Sequence, residues 1–148
     1  MKNTLLPLML ATLPACSASA QQVIAQCGAS KGQTVSLESS KLVWENDGIT
    51  NGSLTFIKLA NGKFDIITKD VRRSFSYTDD GASIVTLEEG DNKKTLVVMH
   101  SKTVIEVYQL TLEKNGSGTL IWTQTKNGAP ISLVTKGSLF TATCSPTR

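Results

Sequence analysis

Along most of this chain, apolar and polar residues alternate over short runs, and turn dipeptides separate the runs. That period of two is the signature of strands with one buried face. Leu54-Thr55-Phe56-Ile57-Lys58-Leu59 and Phe64-Asp65-Ile66-Ile67 flank Asn61-Gly62, a dipeptide that favours the positive φ angles of tight hairpins. Ser83–Glu88 and Thr95–His100 form a second pair across Gly90-Asp91-Asn92, and Thr103–Glu113 with Thr119–Thr125 a third across Asn115-Gly116-Ser117-Gly118. Shorter strands are expected at Thr34–Leu37, Ser74–Tyr77 and Ser138–Cys144. Asn-Gly recurs at Asn51-Gly52 and Asn127-Gly128. No segment after residue 20 keeps a period of 3.6, so helices should be few or absent.

About eight short strands joined by turns predict an all-β, single antiparallel domain. Successive hairpins imply meander connections and favour a barrel-like form, with a two-sheet β-sandwich as the alternative. Closure would also remove sheet edges. Alternation assigns Phe56, Phe64, Ile66, Leu96, Val98, Leu110, Leu112, Leu120 and Trp122 to the core.

The first twenty residues read differently. Lys2 precedes an apolar run, Leu5 to Ala15, too short for a membrane span, and Ala18-Ser19-Ala20 offers the small residues of a signal-peptidase site. Residues 1–20 are therefore read as a signal peptide of bacterial type, and the protein as periplasmic or secreted. Leu13-Pro14-Ala15-Cys16 resembles a lipobox, which would instead tether the protein to the envelope through lipid on Cys16. Proline fits that motif poorly, and cleavage after Ala20 is preferred. The remaining chain divides into a tail, 21–26, a β domain, 27–144, and a C-terminal tail, 145–148.

Export changes the meaning of the cysteines. Of the three, Cys16 leaves with the leader or carries lipid, so Cys27 and Cys144 remain as a pair at the two ends of the domain. Their disulfide would tie first strand to last and could stabilise the fold by about 4–5 kcal/mol in the chain-entropy model. No Cys-x-x-Cys suggests redox chemistry, and His100, the single histidine, serves zinc poorly. A formal charge of +3, falling to +2 without Lys2, lacks the clustered bases of a nucleic-acid surface; Arg72-Arg73 and Lys93-Lys94 are isolated pairs.

Candidate chemistry is sparse. Strict alternation in Val104–Leu112 places Glu106 and Tyr108 on the face of Leu110 and Leu112, where an unpaired acid is costly. A β-bulge that turns Glu106 outward, or a simple barrel-end position, is the preferred reading. In the alternative, Glu106, Tyr108 and Trp122 line a small ligand-binding cavity. Asp79-Asp80-Gly81 could offer oxygens to calcium but lacks further acidic ligands, and a turn is the simpler reading; Glu88, Glu89 and Asp91 are judged alike. His100 has no Gly-x-Ser-x-Gly elbow to serve as a hydrolase base. No catalytic residue, metal site or cofactor is assigned. Asn51-Gly52-Ser53 and Asn115-Gly116-Ser117 match the glycosylation pattern through turn composition.

Cys27-Gly28-Ala29-Ser30, Asp47-Gly48-Ile49, Phe64-Asp65-Ile66-Ile67, Asp79-Asp80-Gly81 and Trp122-Thr123-Gln124, with the closing Cys144, resemble small exported proteins of alphaproteobacteria. The resemblance implies a compartment and brings no activity with it. Three functions remain open. The first is a non-catalytic binding protein for a small ligand or a protein partner. The second is an envelope structural or assembly component. The third is a small hydrolase of envelope material using Glu106, His100 or paired aspartates.

Overall fold

A computed structural model describes residues 21–100, 103–127 and 135–147. The reading of residues 1–20 as a leader, with Cys16, falls outside them, as does Gly128. Eleven strands make up the described chain: β1 (Gln22–Cys27), β2 (Lys31–Glu38), β3 (Lys41–Gly48), β4 (Ser53–Lys58), β5 (Phe64–Lys69), β6 (Ser74–Ser76), β7 (Ser83–Glu89), β8 (Lys93–His100), β9 (Val104–Leu112), β10 (Gly118–Lys126) and β11 (Thr135–Pro146). All pairings are antiparallel, and the sheet runs β6-β5-β4-β1-β11-β10-β9-β8-β7. It curls into a half-barrel.

The all-β, barrel-like expectation holds, and all three long hairpins pair as the alternation indicates. Gly62 and Gly116 take φ of 81° and 85°, the conformation for which Asn-Gly was read. Three expectations are corrected. Closure is not reached: β6 and β7 end the ladder without pairing to each other. The segment 21–26 is not a tail, because it supplies most of β1, held between β4 and β11, and β11 itself continues to Pro146. Finally, β3 fills a stretch from which no strand was expected.

β11 organises the sheet. One side pairs with β10 from Lys136 to Cys144, while its other side carries β2 along Thr135–Thr141 and then β1 along Cys144–Pro146. Cys27 lies directly opposite Cys144, and the two form the expected disulfide. Gly118 faces Cys144 from β10, where an added Cβ would come within 3.2 Å of the Cys144 Cβ and 2.9 Å of a Leu112 methyl. A glycine here leaves room for the bridge.

The inner face of the curl is the core. Phe56, Ile66 and Tyr77 from the β4–β6 side meet Leu96, Val98, Tyr108 and Leu110 from β8 and β9, with Leu120, Trp122 and Phe140 between. Contacts across the curl include Phe56 on Tyr108 and Tyr77 on His100, with ring centroids 6.0 and 4.5 Å apart. At the rim, Lys58 of β4 pairs with Glu89 of β7 at 2.6 Å. That pairing holds the Glu89 carboxyl below its ordinary value. The β2–β3 ribbon extends beyond this walled region, and every residue of β3 is exposed or half-buried.

Candidate functional site

Register places the inner side chains of β2, β3 and β8–β11 in rows across the sheet. One row reads Asp47, Gly32, Phe140, Trp122, Tyr108 and Leu96. The next reads Glu45, Thr34, Ser138, Gln124, Glu106 and Val98. A third contains Ser36, Lys136, Lys126, Val104 and His100. The inner face therefore changes from aromatic to polar within one row.

Trp122 stacks on Tyr108 at 5.4 Å and on Phe140 at 4.3 Å, so three cross-strand neighbours form one aromatic wall. Such stacking adds about 0.5–1.5 kcal/mol per pair beyond burial. Glu106 stands in the adjoining row. The preferred expectation of a bulge is overturned, because β9 keeps unbroken register with both β8 and β10 and its acid points inward, 3% exposed.

What makes the buried carboxylate tolerable is its set of donors. The Tyr108 hydroxyl donates to Glu106 Oε2 at 3.1 Å, and Gln124 Nε2 donates to Oε1 at 2.6 Å. His100 Nε2 lies 3.5 Å from Oε2. With the Tyr108 proton committed to Glu106, the Tyr77 hydroxyl donates to Tyr108 across 2.7 Å. Both phenols are raised above the ordinary tyrosine value, chiefly by burial, with the Glu106 charge adding to the effect. The network joins β6–β7, β8, β9 and β10 through one acid.

The structure thus brings Glu106, Tyr108 and Trp122 together as the cavity reading required, but packs them. They are 3%, 0% and 5% exposed, and the clefts lined wholly by described residues do not include them. Beyond Glu106 toward the ribbon, the polar rows open into a cleft of about 360 Å³ lined by Thr34, Ser36, Glu38, Glu45, Asn46, Asp47, Lys126 and Lys136. Thr34 Oγ1 donates to Asp47 Oδ2 at 2.9 Å and contacts Ser138 Oγ at 2.8 Å. Ser36 Oγ donates to Glu38 at 3.1 Å, and Lys136 Nζ lies 3.8 Å from Asp47. Hydroxyls, carboxylates and ammonium groups therefore share one concave surface.

Sequence reasoning missed this cleft because its residues look like ordinary strand-surface polar positions. Thr34 and Ser36 were placed on a strand, but only the register with β3 and β11 reveals their neighbours. Asp65, a second buried acid, was also missed; it takes hydrogen bonds from the hydroxyls of Ser76 and Thr78 and from the Ile66 amide, and so fixes β6 to β5. Its signal would have been an acid inside an apolar run.

The other candidates are placed as turns and strand ends. Asp80 pairs with Arg73 at 3.2 Å beside Gly81, whose φ of 85° marks a turn. Glu88 accepts from Thr95 at 3.2 Å, and Glu89 is engaged by Lys58. Among the described residues, no three His, Cys, Asp or Glu side chains gather as a metal site, and no helix is long and apolar enough to cross a membrane. Comparison with family models, curated proteins and solved structures finds no match.

Proposed function

We propose that this is an exported, non-catalytic binding protein that holds a small polar ligand in the concave cleft between the β2–β3 ribbon and β10–β11. The observation that carries this reading is the change of the inner face from an aromatic wall to a polar lane within one row. Thr34 and Ser36 are buried at the floor of the cleft, while the carboxylates of Glu38, Glu45 and Asp47 beside them are exposed. Glu38, Glu45 and Asp47 oppose Lys126 and Lys136 within the cleft, with Thr34 and Ser36 between. That donor set suits a ligand bearing both a cationic and an anionic group, such as an amino acid or a peptide end. The Cys27–Cys144 bridge fits an oxidising compartment.

The hydrolase alternative gains one feature, the approach of His100 to Glu106. Both groups belong to a buried network, however, and neither lines the cleft. Binding without turnover is better supported by this placement.

Native mass spectrometry of protein recovered from its exporting host tests the proposal. A reproducible small-molecule increment, lost in Thr34→Val/Ser36→Ala, is expected. A bare mass, together with no shift of cleft resonances on titration with an amino-acid mixture, would refute the ligand reading. Denatured mass on the same sample tests cleavage before Gln21 and lipid on Cys16.

A further inference from the structure

β3 pairs with β2 along one side, and no described residue pairs with the other. The two remaining edges are blunted: β6 has three residues, and β7 carries a register shift between Thr86 and Glu88. β3 has neither protection, being eight residues in unbroken register with β2 and free of proline.

The hairpin turn determines which backbone groups are free. Ser39 and Ser40 both have positive φ, 47° and 66°, which marks a two-residue primed turn closed by the Glu38–Lys41 pair. Antiparallel alternation then directs the amides and carbonyls of Lys41, Val43, Glu45 and Asp47 toward β2, and those of Leu42, Trp44 and Asn46 outward. The same outward-paired residues carry exposed apolar bulk, with Leu42 68% and Trp44 66% exposed.

We propose that this edge pairs antiparallel with β3 of a second copy of the chain, about a two-fold axis through Val43. The order of side chains selects that occupant. In this register Leu42 of each copy lies opposite Trp44 of the other on the outer face. Lys41 lies opposite Glu45 on the inner face, and symmetry repeats both contacts. Val43 meets its own copy in a non-hydrogen-bonded pair. Moving the axis to Trp44 keeps an opposite-charge pair, Lys41 with Asp47, but sets Leu42 against Asn46. Moving it to Glu45 sets that carboxylate against itself. Charged residues on an edge discourage pairing with an arbitrary strand, but the order here complements its own reverse. An edge contact of this size gives a weak, concentration-dependent dimer, and it continues the polar lane of one copy into that of the other.

Sedimentation of the exported protein over a wide concentration range tests the proposal. The expected result is a reversible monomer–dimer equilibrium. Lys41→Glu turns two attractive pairs repulsive and weakens association about tenfold or more, while Lys41→Glu/Glu45→Lys restores it. Circular dichroism confirms that each variant is folded. Val43→Cys adds an independent check: it oxidises to a covalent dimer if the axis passes through Val43. A monomer at every concentration overturns the proposal, as does a dimer indifferent to Lys41→Glu or a Val43→Cys variant that fails to cross-link.

Discussion

The walled end of the half-barrel and the β2–β3 ribbon stand on the same sheet and obey the same alternation, yet they differ in what their inner positions contain. At the walled end, β4–β6 faces β8–β9, and Phe56, Ile66, Leu96 and Tyr108 are sealed from water. Along the ribbon, corresponding inner positions are Thr34, Ser36, Glu45 and Asp47, and they line an open cleft. Alternation decides which side of the sheet a residue takes. Whether that side must be apolar is decided by the presence of an opposing wall. Glu106 stands at the border and is buried there on hydrogen bonds from Tyr108 and Gln124, with His100 3.5 Å away.

The comparison can be broken most severely at the bridge. Removing it with Cys27→Ala/Cys144→Ala opens a loop of 117 residues and is expected to cost about 4–5 kcal/mol, read from urea unfolding. Next, Phe56→Ala leaves a void in the walled end and should lower stability by about 3–5 kcal/mol in the same assay. A smaller effect is expected from the paired phenols. Their raised values keep them protonated in the folded state when an unfolded tyrosine would ionise. Stability should therefore be unaffected by this pair below pH about 10 and fall as pH rises beyond it. Tyr77→Phe should reduce that alkaline slope, and an unchanged slope would assign it to other groups. Least of all, Trp44→Ala at the ribbon should change monomer stability by no more than about 0.5 kcal/mol, although it removes a larger aromatic group than Phe56→Ala does. A cost near that of Phe56→Ala would show that the ribbon is packed in solution.

Much of the walled end was legible in the sequence. Phe56, Phe64, Ile66, Leu96, Val98, Leu110, Leu120 and Trp122 are all buried as alternation assigns them, and Asn61-Gly62 and Asn115-Gly116 mark their turns. The ribbon was not legible for two physical reasons. Its turn uses Ser39-Ser40 at positive φ, which carries none of the glycine signal of the other hairpins. Its second strand, Lys41–Gly48, has no buried face and so lacks the polar–apolar rhythm by which a strand is recognised. Glu106 was misjudged for a related reason. The cost of burying an acid is visible from sequence, but the Tyr108 and Gln124 donors that offset it, and the nearby His100, lie on three strands, and only register brings them together.

β11 accepts β10 on one side and both β2 and β1 on the other, and it comes last in order among the described strands. β1 and β2 each have an edge that only β11 satisfies. Contacts separated by more than a hundred residues are slow to form. The sheet is therefore complete only when β11 docks, and β1 and β2, each held on one side by β4 and β3, keep an open edge until then.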